Sequence, residues 1–177
     1  SGHAMAMRHL TFADPVQKVS IVSRGMALGY TLHVPEDDRY LQPRTKFEHE
    51  ITSLLAGRAA EELVFEEITT GASNDLERAT KLARAMVTQY GMSENLGPRT
   101  FGQKEELVFL GREISEQRDY SEEVARQIDD EVKGIIDRAY AQALSILREH
   151  REKLDRLAHR LVELETIEGP ELEALLA

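Results

Sequence analysis

The chain has 177 residues, 41% hydrophobic and 31% charged, which is the composition of one globular domain with a buried core. Its formal net charge of −10 argues against a nucleic-acid partner, because binding nucleic acid requires a basic surface. There is no cysteine, so any metal must be held by His, Asp or Glu. The sequence lacks a long apolar run and a phosphate-binding glycine loop, so we expect this segment neither to enter a bilayer nor to bind ATP.

The first elements predicted along the chain are the end of a helix and a β hairpin. Residues 1–10 have a helical pattern that begins without an N-cap of its own. β-branched residues favour strands over 16–22 and 27–34, and a turn joins the two. We therefore expect a hairpin or small sheet with an open edge.

Two amphipathic helices are predicted next. Thr45 and Glu48 form a capping-box pattern at the start of a helix predicted over 46–65. The following helix is predicted to be capped by Ser73 or Asn74.

The C-terminal part is helical and highly charged. Apolar stripes at helical spacing from Ser121 onward predict two antiparallel helices with a corner at 149–152. Pro170 opens a short last helix. The fold class is therefore mainly α, with a small β hairpin or sheet and a C-terminal antiparallel helical bundle.

Histidine is the first candidate for chemistry. His49-Glu50 begins a metal-binding His-Glu-x-x-His pattern, but Ser53 occupies the place of the second histidine, so this segment is interpreted as an exposed, charged part of a helix. His3 differs because Gly2 precedes it, and glycine lowers helix stability. Close approach of another backbone, or a metal site, would require that glycine. His150 and His159 are interpreted as solvated, and His33 has no obvious partner. His9 is six residues after His3, which places it on the opposite side of the helix.

Two carboxylates are also candidates. Asp75 lies in the first turn of a helix, where its charge suits the helix dipole even without a chemical role. Glu61 occupies a position that can face inward, where a carboxylate needs a partner. That partner is either a histidine N–H beside a metal or one of two arginines, Arg58 and Arg84.

Several sequence runs follow one another in a definite order, and they include residues 13–16 (ADPV), 27–31 (ALGYT), 57–62 (GRAAEE), 69–80 (TTGASNDLERAT) and 90–93 (YGMS). Taken together and in this order, these runs resemble the peptidase domain of the FtsH family. Each run alone is weak evidence, whereas their joint order is specific. The resemblance covers about the first hundred residues in motif and the C-terminal helices in character only.

This resemblance implies a zinc peptidase. The family's helix motif is His-Glu-x-Gly-His, and Ser1, Gly2 and His3 match its last three positions. His3 then corresponds to the second zinc histidine, Asp75 to the third zinc ligand, and Glu61 to a carboxylate near the metal. The first histidine and the catalytic glutamate, the general base, are expected immediately before Ser1. A chain that truly starts at Ser1 is expected to bind zinc weakly and to have no peptidase activity.

The resemblance also implies a division of the chain and a substrate site. Residues 1–102 would form the active-site part and 103–177 the C-terminal helical part of a single domain. One strand would border the cleft and pair with an extended substrate. Its residues are Ala27, Leu28, Gly29, Tyr30, Thr31 and Leu32.

For the whole protein, the resemblance implies an ATP-driven protease that degrades unfolded or membrane proteins. It implies a homo-hexamer at the cytoplasmic face of a bacterial inner membrane, or an organelle equivalent, with the ATPase and anchor in other segments. A different class of function stays open: a non-catalytic helical scaffold or oligomerisation domain that keeps the fold. A free-standing helical regulator fits the acidic C-terminal half but leaves the ordered motifs unexplained.

Overall fold

The computed structural model describes residues 1–22, 30–33, 41–102 and 119–177. These form a mainly α structure with one small sheet, which confirms the predicted fold class. The elements are α1 (Gly2–Arg8), β1 (Val16–Ser20), β2 (Tyr30–His33), α2 (Arg44–Phe65), a 3-10 turn (Thr70–Ala72), α3 (Ser73–Thr88), α4 (Glu122–Glu149), α5 (Arg151–Leu164), β3 (Thr166–Glu168) and α6 (Gly169–Leu176). Within those ranges, no helix has the length and apolar character needed to cross a membrane.

The sheet has three strands in the order β2-β1-β3, and both pairings are antiparallel. The predicted pairing of the first two strands is confirmed, although both are shorter than predicted and 23–29 and 34 lie outside the described residues. β3 was not predicted, because three residues between two helices carry no strand periodicity. In the central strand β1, Val19 pairs with Thr31 of β2 on one side and with Ile167 of β3 on the other. This pairing joins the C-terminal part of the chain to the hairpin.

Both predicted helix caps are wrong. α2 begins at Arg44 with Pro43 as its N-cap, and Glu48 pairs with Arg44 at 2.8 Å instead of closing a capping box. α3 follows directly from the 3-10 turn, so Ser73 and Asn74 lie inside the helix. The capping side chain is Thr69, whose hydroxyl accepts a hydrogen bond from the Gly71 amide at 3.1 Å.

Two clusters of buried apolar residues form the core. One gathers α1, β1, the second half of α2, the end of α4, α5, β3 and α6, with Met5, Leu147 and Leu157 fully buried. The other gathers the first half of α2, α3 and the first half of α4, around Ile51 and Met86. Each cluster combines residues before 102 with residues after 119, so the C-terminal helices complete the packing of the part that carries the candidate site.

His9 and His150 stack on each other where three helix ends meet. Their ring centroids are 3.7 Å apart and their planes differ by 8°. His9 ends α1, and His150 joins α4 to α5, so the stack ties the first helix to the C-terminal part. Burial lowers the pKa of His9 below 6.5, and the charges of His150, Lys153 and Arg8 lower it further against the opposing effect of Glu149.

This stack predicts a loss of stability at acid pH. Because the pKa of His9 is lower in the folded chain, the unfolded chain takes up a proton first as the pH falls through about 6.5. The free energy of unfolding, measured by urea denaturation, should therefore fall from about pH 7.5 to about pH 5.5. His9→Gln should lose less over this interval than the wild type.

His159→Gln is the matched control, because His159 lies on the exposed side of α5, bonded to the Asp155 carbonyl, away from the stack. It should keep the wild-type dependence on pH. Equal slopes for wild type and His9→Gln would contradict the prediction.

Candidate metal centre

The site begins where α1 crosses α2 at very short range. A Cβ atom built on Gly2 would lie 2.5 Å from the carbonyl oxygen of Ala56 and 2.8 Å from the Cβ of Ala60. No side chain fits there, so the close approach of a second backbone explains the glycine at this position. This was one of the two explanations that the sequence offered for Gly2. The contact holds the next residue, His3, directly over α2.

The ring of His3 is oriented by a backbone carbonyl of α2. Its Nδ1 lies 2.8 Å from the carbonyl oxygen of Ser53. Since a carbonyl oxygen only accepts hydrogen bonds, Nδ1 must be the protonated nitrogen and donate this bond. In the neutral imidazole, Nε2 then carries the free lone pair, which is the state of a histidine that binds metal.

Asp75 faces that lone pair. Its Oδ2 lies 3.4 Å from His3 Nε2, and the two side chains are only 26% and 35% exposed. Asp75 stands in the first turn of α3, yet no side-chain cap bond forms at that helix start. A lone pair and a carboxylate oxygen repel at this distance unless a cation or a proton lies between them. The pair therefore presents a place for a positive charge.

The geometry of the pair fits zinc. Two ligands about 2.0–2.1 Å from a tetrahedral zinc ion are about 3.3 Å apart, close to the separation of these two atoms. Nitrogen from histidine and oxygen from aspartate are both ordinary zinc donors. In the described parts of the chain, no third His, Asp or Glu joins them to complete a metal-binding group. The structure thus brings the two predicted ligands together, and their role as zinc ligands stays a prediction.

Glu61 acts on the loop before Asp75. Its Oε2 accepts hydrogen bonds from the backbone N and the hydroxyl of Thr69, at 3.2 and 3.1 Å. Among the described residues it bonds neither His3 nor an arginine, and Arg84 pairs with Asp129 instead. Its contact to the candidate site therefore runs through the loop that leads into α3, and its role near a metal stays a prediction.

The residues of α2 that meet the site form one row. Ser53, Gly57 and Glu61 are four apart, so they lie above one another on one face of the helix. Sequence patterns did not identify Ser53 as part of the site, because it contributes its backbone carbonyl, which every residue has. Gly57 lies beneath the His3 ring and was noticed only as part of a motif.

The incomplete His-Glu motif is structural. Nδ1 of His49 accepts a hydrogen bond from the backbone N of Phe12 at 3.2 Å, and the ring is half-buried, while Glu50 is exposed. The interpretation of this segment as non-metal-binding is consistent with that bond, although His49 is less exposed than expected. Burial lowers the pKa of His49 against the opposing effect of Glu48, which favours the neutral ring whose Nδ1 accepts this bond.

The predicted substrate strand is described only in part. Tyr30, Thr31 and Leu32 belong to β2, which lies at the edge of the sheet formed by the described residues, and Leu32 is 44% exposed. Ala27, Leu28 and Gly29 lie outside the described residues. Of the predicted substrate strand, the three described residues therefore lie on the edge strand of the described sheet, as the proposed pairing with a substrate would need.

The model of peptidase family M41 matches residues 1–175. The chain belongs to peptidase family M41.

Among M41 relatives, the chain is 59% identical over 175 residues to "ATP-dependent zinc metalloprotease FtsH 1" of Sphaerobacter thermophilus. It is 58% identical over 175 residues to the protein of the same name from Thermomicrobium roseum, and each alignment covers 99% of this chain. It is 52% identical over 178 residues to "ATP-dependent zinc metalloprotease FtsH" of Thermotoga maritima. The matched segments span 27%, 27% and 29% of those relatives, respectively.

The link from Glu61 to Thr69 generates a test. Glu61→Gln keeps the size of the side chain but removes the charge and sets an NH₂ group against a Thr69 donor. If this link holds the loop that positions Asp75, Zn²⁺ affinity should fall by about ten- to a hundredfold, measured by competition with a chromophoric chelator.

The neighbouring Glu62→Gln is the control, because Glu62 accepts a hydrogen bond from the Tyr140 hydroxyl of α4 instead. It should leave Zn²⁺ affinity unchanged. An unaltered affinity in Glu61→Gln would limit Glu61 to a structural role in the loop.

Proposed function

We propose that this chain is the zinc-peptidase part of a larger ATP-driven protease and that His3 and Asp75 are two of its metal ligands. The observation that carries the proposal is the Nε2–Oδ2 distance of 3.4 Å, with Nδ1 of His3 committed to the Ser53 carbonyl. Membership of the M41 family and the zinc metalloprotease names of its relatives support it.

A bound zinc ion would supply Lewis acidity and lower the pKa of a water ligand to about 7. The residues of this chain hold the two proposed ligands in place and orient them. The Ser53 carbonyl fixes the tautomer of His3, Gly2 sets its position above α2, and Glu61 fixes the loop before Asp75. We propose that the first zinc histidine and the general-base glutamate come from the residues that the family pattern expects before Ser1.

We propose further that an extended substrate segment pairs with the β2 edge. In the described residues, β2 has β1 on one side and no further strand on the other. Main-chain hydrogen bonds would then provide most of the binding, so many sequences could be accepted. Thr31 and Leu32, with Ala27–Leu28–Gly29 and Tyr30 of the same predicted strand, would form this surface.

The whole protein is proposed to unfold its substrates with ATP before this part cleaves them. The names of the relatives combine ATP dependence, zinc and proteolysis, and the chain spans under a third of their length. We therefore propose that other segments carry the ATPase and a membrane anchor. Unfolded or membrane proteins are the proposed substrates, in a homo-hexamer at the cytoplasmic face of a bacterial membrane.

Asp75→Ala tests the ligand assignment. In protein that carries the complete His-Glu-x-Gly-His motif, the substitution should abolish chelator-sensitive cleavage of an unfolded protein such as casein. It should also lower the zinc content per chain, measured by mass spectrometry of the metal. Loss of the favourable charge in the first turn of α3 costs about 0.3–1 kcal/mol, so helix content should stay nearly the same.

Glu77→Gln in the same helix is the control, because Glu77 is exposed and pairs only with Lys81 among the described contacts. It should keep both zinc and activity. Full activity in Asp75→Ala would remove Asp75 from the ligand set, and absence of zinc and cleavage in the wild type would support the scaffold function instead.

A further inference from the structure

The ring of His3 lies in a space that a side chain on α2 would fill. A Cβ atom built on Gly57 would lie 2.5 Å from Nε2 and 2.7 Å from Cε1 of His3. A Cβ atom essentially never comes this close to a non-bonded heavy atom, so even alanine is incompatible with the ring where it stands. Gly57 is in the middle of α2 without a left-handed backbone, so conformational freedom is not the reason for glycine there.

Glycine within a helix is unfavourable unless something requires it. In a helix interior it lowers stability by about 0.8–1.0 kcal/mol relative to alanine. The three atoms nearest to the missing side chain all belong to His3, whereas those nearest at Gly2 include backbone atoms of Ala56. Gly2 therefore allows two helices to approach, and Gly57 makes room for one imidazole ring.

We propose that Gly57 is a positioning residue of the metal centre: its missing side chain sets the place of His3 Nε2 opposite Asp75. The proposal rests on the proposed function, in which these two residues bind zinc. The ring is held from two directions, by the hydrogen bond from Nδ1 to the Ser53 carbonyl and by the space over Gly57. Ser53 and Gly57 are one helical turn apart, so a single face of α2 fixes both the rotation and the depth of the ring.

A methyl group at position 57 would move the ring rather than the helix. The imidazole is the end of a side chain with two rotatable bonds, whereas α2 is packed between α1, α3 and α4. Displacement of the ring breaks its bond to Ser53 or its alignment with Asp75. Gly57→Ala should therefore preserve or raise the stability of the fold and at the same time weaken metal binding. The substitution thus affects folding stability and metal affinity in opposite directions.

Gly57→Ala and Gly134→Ala are the matched pair that tests this. Both place alanine in the interior of a long helix, but a Cβ at Gly134 would meet only the end of the Arg138 side chain, at 3.2 Å. Zn²⁺ affinity is measured by competition with a chelator, Co²⁺ coordination by visible absorption, and stability by thermal unfolding. The Nδ1–H of His3 is followed by ¹⁵N NMR in the metal-free protein.

We expect Gly57→Ala to lower Zn²⁺ affinity by about tenfold or more, to change the Co²⁺ spectrum and to shift the His3 Nδ1–H signal. Its unfolding temperature should equal or exceed that of the wild type. Gly134→Ala should bind Zn²⁺ and Co²⁺ as the wild type does.

The other outcomes are decisive. Wild-type affinity and an unshifted His3 signal in Gly57→Ala would overturn the role of Gly57 and leave the proposed function intact. A wild-type protein that binds neither Zn²⁺ nor Co²⁺ would overturn the proposed function, and the role of Gly57 with it.

A folding defect in Gly57→Ala is resolved by adding His3→Ala. With the imidazole removed, alanine at 57 meets no ring, so the double variant should recover its stability and helix content. Recovery supports the contact between the two residues, and a defect that persists without the ring overturns it.

Discussion

The close crossing of α1 on α2 is the contact on which the candidate site depends. Gly2 brings the first helix against the carbonyl of Ala56, at a distance that no side chain allows. His3 is thereby fixed above the row Ser53–Gly57–Glu61 of α2. That row orients the ring, leaves room for it and holds the loop before Asp75. One helix face thus organises both proposed ligands, although 72 positions separate them in the numbering of the chain.

Packing against the rest of the fold fixes the position of α2. Its first half packs into the cluster with α3 and the start of α4, and its second half into the cluster with α1, α5 and α6. The fully buried Ile51 and Leu55 lie on either side of Ser53 in sequence. Because interiors are packed as densely as crystals, a helix buried in this way cannot shift to relieve crowding at the site. A small substitution on the surface of α2 therefore displaces the side chain that lies over it, such as that of His3, rather than the helix itself.

The electrostatics of the site are distinct from the general acidity of the chain. Several carboxylates of the described surface form ion pairs at helical spacing, such as Glu77 with Lys81, and exposed pairs of this kind contribute little to stability. Asp75 instead points its carboxylate at Nε2 of a half-buried imidazole, the nitrogen that carries the lone pair in the neutral ring. A positive charge between the two relieves their repulsion, so a divalent ion would stabilise the crossing of α1 and the start of α3 together.

The sequence by itself determined the mainly α class, the hairpin, the family resemblance and the choice of His3 and Asp75 as candidate ligands, because periodicity and motifs are local properties of the chain. It did not determine β3 or the helix caps, since short strands and caps depend on which segments pack beside them in the folded chain. Only the tertiary structure decided that a carbonyl of α2 orients His3, that Glu61 bonds Thr69 and that Gly57 lies under the ring. The two contacts of His3 join segments about fifty residues apart, and the bond of Glu61 spans a turn between two helices. All three depend on how the helices pack, which periodicity and motifs do not specify.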